Sequence, residues 1–153
     1  MPSLELKIPP PVVALLIAVA MWGFAFITPL LEAPASLRAC AAVTIALVGV
    51  ACSVSGIMSF RRARTTVNPH KPEAATSLVT SGIYKFTRNP MYVGLFFLLV
   101  AWAVFLSSAW SLLGPMAFIL YISHFQITPE ERVLSELFGA EYSSYKARVR
   151  RWL

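Results

Sequence analysis

Four long apolar runs separated by polar segments dominate the pattern of this chain. They occupy residues 12–31, 39–60, 91–106 and 112–127. The first two reach the length of about 20 residues that a helix needs to cross a bilayer, and the last two are somewhat shorter. Aromatic residues typical of membrane interfaces flank the shorter runs, namely Tyr92, Trp110 and Tyr121. The pattern predicts an all-α polytopic membrane protein with about four transmembrane helices.

The segments between these runs differ sharply in length. Residues 32–38 predict a short turn marked by Pro34, and residues 107–111 predict a second one, so the third and fourth runs form an antiparallel hairpin. Residues 61–89 are polar and too long to be a simple turn. We therefore predict a single integral-membrane domain over residues 1–153, with an N-terminal helical hairpin (1–60), a cytosolic loop (61–89), and a second helix pair with a C-terminal tail (90–153).

Composition and charge support a membrane protein and give it an orientation. The chain is 58% hydrophobic and 13% charged, whereas a soluble domain carries roughly 25% charged residues. Most basic residues lie in the long loop and the tail, leaving Lys7 near the N-terminus and Arg38 on the opposite side. The positive-inside rule then predicts cytoplasmic termini and a cytoplasmic loop, and we expect the bacterial inner membrane. The net charge of +6 indicates contact with anionic lipids and not with nucleic acid, because no nucleic-acid-binding motif accompanies it.

The tail after the fourth run predicts an amphipathic helix. Thr128, Pro129, Glu130 and Glu131 match the N-cap, N1, N2 and N3 positions of a capping box. An apolar stripe at helical spacing follows on the face opposite the basic residues, and we expect Gly139 to interrupt it. Such a helix would lie on the membrane surface or pack over the long loop, covering the cytosolic face in either case.

The start of the third run carries the first group of candidate site residues. Asn89 and Pro90 indicate a helix start, with Asn as N-cap and Pro at N1, and the backbone N–H groups there favour an anion. Arg88 is placed to pair with a carboxylate, and Tyr92 to form a hydrogen bond or to stack. A structural interpretation stays open, in which Asn89 only caps the helix, Arg88 extends to lipid headgroups and Tyr92 is an interface residue.

The acidic pair Glu130 and Glu131 forms the second group. Acidic residues in a first helical turn stabilise the helix through its dipole, and Glu131 also completes the capping box. That explanation does not account for two carboxylates at the membrane face beside a basic cluster, where charges are costly. A cationic ligand that carries its own carboxylate would match the two groups together.

Other candidate chemistry is sparse. His124 lies near the inner end of the fourth run, where a lone His is more often a packing residue than a base, and His70 in the loop receives no role. The chain contains no Asp and no His or Cys at metal-ligand spacing, so we predict no metal site. There is no phosphate-binding loop and no Rossmann glycine motif.

Four motifs occur together in the C-terminal half. They are Ser81-Gly82-Ile83-Tyr84, Arg88-Asn89-Pro90-Met91-Tyr92-Val93-Gly94, Glu130-Glu131-Arg132 and Phe138-Gly139-Ala140-Glu141-Tyr142-Ser143-Ser144-Tyr145. In combination they resemble the isoprenylcysteine carboxyl methyltransferase family, which is similar to the integral-membrane phospholipid methyltransferases. The resemblance covers roughly residues 80–153. It implies that the second helix pair, the motif loop and the tail hold S-adenosylmethionine on the cytosolic side.

The resemblance also implies roles for individual residues. With His124 added as a further candidate, the predicted cofactor-binding residues are Tyr84, Arg88, Asn89, Pro90, Tyr92, Gly94, His124, Glu130 and Glu131. Of these, Arg88, Glu130 and Glu131 are the candidate catalytic residues: either Glu engages the amino group of the donor, and Arg88 holds its carboxylate. Many relatives have His where this chain has Asn89, and only His readily serves as a base, so no protonation role is carried over to that position.

The function predicted from these motifs is methyl transfer from S-adenosylmethionine to a lipophilic acceptor at the cytosolic face. The expected partners are this lipid-soluble substrate and the membrane lipids. A carboxylate such as a prenylcysteine-like group is already ionised at neutral pH, whereas a thiol or an ammonium group must first lose a proton. Phospholipid N-methylation and thiol S-methylation stay open, as do a non-catalytic membrane subunit and a nicotinamide-dependent membrane reductase.

Overall fold

The computed structural model describes residues 5–29, 31–63 and 77–153. Its α-helices are α1 (Pro10–Ala25), α2 (Ala35–Arg62), α3 (Pro90–Leu106), α4 (Leu113–Ile122) and α5 (Thr128–Arg148). Short 3₁₀ helices, Gly82–Lys85 and Ala109–Leu112, precede α3 and α4, and a π-helical turn, Ser123–Ile127, joins α4 to α5. The predicted all-α class is confirmed. The middle of the predicted loop, residues 64–76 with His70, lies outside the described residues.

Among the described residues, two helices are long and apolar enough to cross a membrane. They are α2, with 28 residues, and the continuous helix Ala109–Arg148, with 40 residues. The other apolar helices, α1 and α3, have 16 and 17 residues. Large hydrophobic side chains stay exposed on the outer faces of the helices, among them Leu16, Leu47 and Leu120. Extended exposed apolar surface of this kind is typical of proteins that contact lipid chains.

Helices α2 and α3 pack closely through paired glycines. A Cβ atom placed on Gly49 would lie 2.7 Å from the carbonyl oxygen of Gly94, so the two backbones nearly touch. A Cβ atom on Gly94 would collide with the Ser53 side chain and the Gly49 carbonyl. Nearer the start of α3, a Cβ atom on Gly56 would lie 3.1 Å from Pro90 Cγ. Small residues allow membrane helices to approach in this way, so Gly94 is a packing residue.

The turns of the two hairpins meet at the end of the molecule where α3 ends. The Ser107 hydroxyl donates to the Leu31 carbonyl at 2.8 Å, and the Leu31 N–H donates to the Ser107 carbonyl at 2.6 Å. The hydroxyls of Thr28 and Ser108 also share a hydrogen bond of 2.8 Å. These bonds pair polar groups in apolar surroundings, where an unpaired group would be costly.

Helices α4 and α5 are continuous, so the predicted capping box at Thr128 is wrong. Thr128 has helical dihedral angles (φ −60°, ψ −46°), and its hydroxyl donates to the Ser123 carbonyl at 2.8 Å. Pro129 has no N–H, and its ring crowds the carbonyl four residues earlier, so the helix widens into the π-turn before it. That carbonyl, of Phe125, accepts the N–H of Leu6 instead, at 3.1 Å.

Gly139 interrupts α5, as predicted from the sequence. Its dihedral angles (φ +49°, ψ −119°) lie in the left-handed region that favours glycine. Beyond the bend, the tail returns to the segment that precedes α3. The Arg88 N–H donates to the Arg150 carbonyl at 3.0 Å, and Thr87 and Arg150 form a parallel bridge. The tail therefore packs over the end of the long loop, which was one of its two predicted positions.

Candidate functional site

A cavity of about 100 Å³ lies where the start of α3, the segment before it and α5 meet. Apolar side chains from α2, from residues 78–79 and from α5 form part of its wall. Its polar lining residues are Ser77, Tyr84, Arg88, Asn89, Tyr92, Glu130, Glu131, Tyr142 and Tyr145. The structure thus brings together the two groups of residues that the sequence placed at neighbouring helix ends.

Glu131 is held between two arginines. Its Oε1 lies 3.1 Å from Nη2 of Arg88, and its Oε2 lies 2.6 Å from Nη2 of Arg151. The Arg151 Nε also donates to Oε1 at 3.2 Å. The Arg88 and Glu131 side chains are only 12% and 14% exposed, so solvent screens this ion pair little. Both oxygens of Glu131 are thus engaged by arginines, and the carboxylate orients Arg88.

Arg88 also presents a donor without an acceptor. Its Nε is buried and has no hydrogen-bond partner within the described part of the chain. A buried N–H group without an acceptor is costly, and a guanidinium binds carboxylates through two parallel hydrogen bonds. Since Arg88 lines the cavity, a carboxylate entering it would provide the missing acceptor.

Glu130 lies in different surroundings although it is the neighbouring residue. Its Oε1 accepts hydrogen bonds from the Tyr92 hydroxyl at 2.5 Å and from Nε2 of Gln126 at 2.7 Å. Both donors are neutral, and no Lys, Arg or His among the described residues forms an ion pair with this carboxylate. A buried carboxylate without a cationic partner is expensive, so the geometry favours a ligand that brings a positive charge.

Three further tyrosines surround the two carboxylates. The Tyr145 hydroxyl donates to the Tyr84 carbonyl at 2.7 Å, and the Tyr84 ring packs edge-on against Phe60 with centroids 5.4 Å apart. Burial raises the pKa of the Tyr84 phenol well above its usual range, and the nearby Tyr145 and Glu130 raise it further. Tyr84 therefore stays a neutral O–H donor at physiological pH. Tyr142, buried beside Tyr145, completes the aromatic wall.

Asn89 occupies the predicted N-cap position of α3, with Pro90 at N1, but its side chain forms no capping bond. Its Nδ2 donates instead to the Arg151 carbonyl at 2.9 Å, and the Thr87 hydroxyl donates to the same oxygen at 3.3 Å. Asn89 therefore fastens the tail to the motif loop. The tail in turn places the Arg151 side chain beside Glu131.

The backbone at the start of α3 offers little to an anion. The N–H groups of Tyr92 and Val93 both donate to the Asn89 carbonyl at 3.0 Å, and Pro90 has no N–H. The expected anion site on free backbone N–H groups is thus mostly occupied. The Arg88 side chain is the group that presents positive charge to the cavity.

Three predicted cofactor-binding residues, Pro90, Gly94 and His124, do not line the cavity. Pro90 and Gly94 face α2, where close helix packing uses them. His124 is exposed in the π-turn, with its ring edge-on to Phe125 at a centroid distance of 4.7 Å. Among the described residues no group of three or more His, Cys, Asp or Glu side chains is arranged to hold a metal ion.

Sequence reasoning missed residues that arrive from the tail and the π-turn. The helical pattern of the tail places Tyr142 and Tyr145 in its apolar stripe, although both belong to a motif that carries the resemblance. It places Arg151 among the basic residues of the tail, whereas Arg151 pairs with Glu131, 20 residues earlier. The bend at Gly139 was the available signal, because a helix interrupted there turns its end to a new neighbour.

Comparison with known proteins identifies the family. Residues 37–141 match the family model of phospholipid methyltransferases, and the chain belongs to this family. A Haemophilus influenzae protein whose name gives no function is 48% identical over 63 residues, which are 41% of this chain and the whole of that protein. Protein-S-isoprenylcysteine O-methyltransferase of Saccharomyces cerevisiae is 34% identical over 85 residues, 52% of this chain and 33% of that enzyme. Methanethiol S-methyltransferase 1 of Bradyrhizobium diazoefficiens is 43% identical over 67 residues, 44% of this chain and 22% of that enzyme.

The matched regions thus span a third or less of the named enzymes. No solved structure gives a significant match. The family predicted from the motifs is confirmed. The predicted enzyme class is confirmed as well, because the family and its named relatives are methyltransferases.

Proposed function

We propose that this chain transfers a methyl group from S-adenosylmethionine to a lipophilic acceptor at the cytosolic face of a membrane. One observation carries the proposal. The cavity is lined by a guanidinium with an unsatisfied buried donor and by a carboxylate without a cationic partner among the described residues. S-adenosylmethionine carries a carboxylate and an ammonium group on the same carbon atom, so its amino-acid end matches both.

Different lining residues bind different groups of this donor. Arg88 binds the donor carboxylate through its free Nε, while Glu131 and Arg151 fix the guanidinium. Glu130 receives the ammonium group, and Tyr92 orients the Glu130 carboxylate. The bound donor supplies an electrophilic methyl group, and the protein contributes by positioning the reactants and excluding water.

The size of the cavity supports binding of one end of the donor. The cavity measures about 100 Å³, whereas pockets for whole ligands measure roughly 300–1,000 Å³. We place the amino-acid end in this cavity, against Arg88 and Glu130. The remainder of the donor then extends out past the aromatic wall formed by Tyr84 and Tyr142.

We propose four membrane-spanning segments, with the cavity end in the cytoplasm of a bacterial cell. The shorter helices fit this arrangement, because the 17 residues of α3 measure about 25 Å, close to the hydrocarbon core of about 30 Å. Arg61 and Arg62 end α2 at the cavity end, and Lys146 and Arg148 lie in the last turn of α5. This asymmetry supports the orientation through the positive-inside rule.

The acceptor we favour is a carboxylate on a lipophilic molecule, such as a prenylcysteine-like group. No histidine is among the described residues that line the cavity, and both glutamates are engaged. A carboxylate needs no base to become a nucleophile at neutral pH. Thiol S-methylation is the second candidate because of the likeness to the methanethiol enzyme, and phospholipid N-methylation is a third because of the family.

Calorimetry with S-adenosylhomocysteine in detergent tests the donor site. We expect saturable binding to the wild type, and a loss of affinity of about tenfold or more (about 1.4 kcal/mol) for Arg88→Ala and Glu130→Gln. Glu136→Gln is the matched control, because Glu136 is exposed on the same helix. Absence of binding, or equal affinity in every variant, would contradict the proposal, and binding of NADPH instead would favour the membrane reductase.

Methyl transfer from a donor labelled in its methyl group tests the acceptor. The panel contains a prenylcysteine, phosphatidylethanolamine and small thiols, and we expect label in the prenylcysteine. Label in the thiols or the phospholipid would reassign the acceptor without removing the methyltransferase activity. Label in none of them, in a protein that binds S-adenosylhomocysteine, would favour a non-catalytic membrane subunit.

A further inference from the structure

The end of the molecule opposite the cavity holds an arginine beside an apolar groove. The groove measures about 320 Å³ and lies between the start of α2 and the turn from α3 to α4. Arg38 lines it together with mostly apolar residues, including Leu37, Ala41, Val104 and Leu112. The full length of α3, about 25 Å, separates this end from the cavity.

Arg38 has few partners within the protein. Its Nη1 donates to the Phe105 carbonyl at 3.4 Å, which is long for a hydrogen bond. Its Nε is buried and has no hydrogen-bond partner in residues 5–29, 31–63 and 77–153. In the same ranges no carboxylate forms an ion pair with it.

The position of Arg38 on its helix makes this shortage of partners costly. Arg38 lies in the first turn of α2, after the N-cap Pro34, where the helix dipole carries a partial positive charge. A cation there adds to that charge, so the helix does not stabilise it. An arginine in apolar surroundings is costly, and polar partners reduce that cost.

We propose that this end of the molecule binds one anionic phospholipid, with its phosphate on the Arg38 guanidinium and an acyl chain in the groove. A guanidinium matches the geometry of phosphate oxygens. The groove volume falls within the roughly 300–1,000 Å³ of ligand pockets, and its walls are mostly apolar. No acidic side chain is among its described lining residues, although the exposed Glu32 lies between the lining residues Leu31 and Ala33. The site is remote from the cavity and does not depend on the proposed methyl transfer.

Native mass spectrometry of the full-length protein in detergent tests this site. With phosphatidylglycerol we expect one lipid retained per chain, and weaker retention of phosphatidylcholine. Arg38→Gln should reduce the affinity for phosphatidylglycerol at least fivefold. Ala109→Leu should also reduce it, because it fills the groove and leaves the charge in place. Arg132→Gln is the matched control, since Arg132 is an exposed arginine whose partner, Glu5, lies 3.6 Å away at the cavity end.

Three outcomes would overturn the proposal. The first is retention of phosphatidylglycerol by Arg38→Gln and Ala109→Leu equal to that of the wild type. The second is equal retention of phosphatidylglycerol and phosphatidylcholine by the wild type. The third is displacement of the lipid by millimolar inorganic phosphate, which would indicate a simple anion site without a role for the groove. Thermal unfolding checks that each variant is folded. Because Ala109 is exposed, Ala109→Leu should fold, and it tests the site even if Arg38→Gln does not fold.

Discussion

At the scale of single residues, the adjacent carboxylates of Glu130 and Glu131 lie in different surroundings. Glu131 is enclosed by the guanidinium groups of Arg88 and Arg151, while Glu130 accepts hydrogen bonds from the neutral donors Tyr92 and Gln126 and has no ion pair within the described ranges. The sequence predicted that both acids belong to the site, and they line the same cavity. Their division of roles could not be predicted, because it depends on a tail residue whose position follows from the tertiary fold.

Replacing Arg151 by Met should weaken donor binding without unfolding the protein. Glu131 would keep only Arg88, and that guanidinium would be oriented less firmly. Because the Arg151 side chain is 36% exposed and partly screened, we expect about a fivefold loss of affinity, about 1 kcal/mol. Calorimetry with S-adenosylhomocysteine measures it. Arg150→Met, at the exposed neighbouring arginine, is the control, and equal affinities of the two variants would show that Arg151 has no role in binding.

Replacing Tyr92 by Phe should reduce activity while the fold is retained. The change removes the hydroxyl that donates to Glu130, and a hydrogen bond to a charged group contributes roughly 1.5–3 kcal/mol. We expect at least a tenfold drop in methyl transfer. Tyr121→Phe is the control, because the buried Tyr121 hydroxyl has no hydrogen-bond partner in the described residues. Equal activity of the two variants would contradict the role of Tyr92.

At the scale of helices, the apolar runs predicted where helices occur better than where they end. The start of α3 at Asn89 and Pro90 was predicted correctly. The start at Thr128 was not, because Pro129 favours the first turn of a helix and equally widens a continuous one. One added residue in a π-turn rotates the following helix by about 100°. The π-turn therefore decides which face of α5 carries Glu130.

Replacing Pro129 by Ala should weaken donor binding and leave the thermal stability of the protein unchanged. Alanine restores an N–H that can bond to the Phe125 carbonyl, so the π-turn can relax to regular α-helix and rotate Glu130 away from Tyr92. We expect at least a tenfold loss of affinity for S-adenosylhomocysteine and an unchanged midpoint of thermal unfolding. Pro11→Ala, at an exposed position in the first turn of α1, is the control. Unchanged affinity in Pro129→Ala would show that the proline does not set the orientation of the carboxylate.

Replacing Gly94 by Ala should destabilise the α2–α3 pair. The new methyl group would collide with the Ser53 side chain and the Gly49 carbonyl, and overpacking of this kind costs roughly 1–3 kcal/mol. We expect a lower midpoint of thermal unfolding in detergent. Gly23→Ala is the control, since no atom lies within 4 Å of its added Cβ, and it should be neutral or slightly stabilising. A midpoint for Gly94→Ala equal to that of the control would contradict close packing.

At the scale of the whole molecule, the apolar runs were enough to predict the all-helical class, and two of the described helices are long and apolar enough to cross a membrane. The apolar runs could not predict that the tail returns to the motif loop. The bond from Asn89 to the Arg151 carbonyl joins residues 62 positions apart and requires the bend at Gly139. A periodic pattern predicts which face of a helix is apolar. It does not predict which segment the chain contacts after a bend.

Removing the tail should abolish donor binding and leave the helices folded. A variant that ends at Arg148 loses Arg151, the partner of Glu131, and the carbonyl that Thr87 and Asn89 bind. We expect more than a tenfold loss of affinity for S-adenosylhomocysteine with unchanged extraction from membranes. A variant that ends at Trp152 lacks only the exposed Leu153 and should bind like the wild type. Retained binding in the shorter variant would show that the tail is dispensable.

The hydrogen bonds between the two hairpin turns restrict how the cavity widens to admit a ligand. Leu31 with Ser107, and Thr28 with Ser108, join the hairpins at the far end. Separating the turns would break three hydrogen bonds in apolar surroundings, and the close contact of Gly56 with Pro90 holds α2 against α3 at the cavity end as well. We therefore expect a ligand to enter by displacement of side chains or of the tail, and not by separation of the two hairpins.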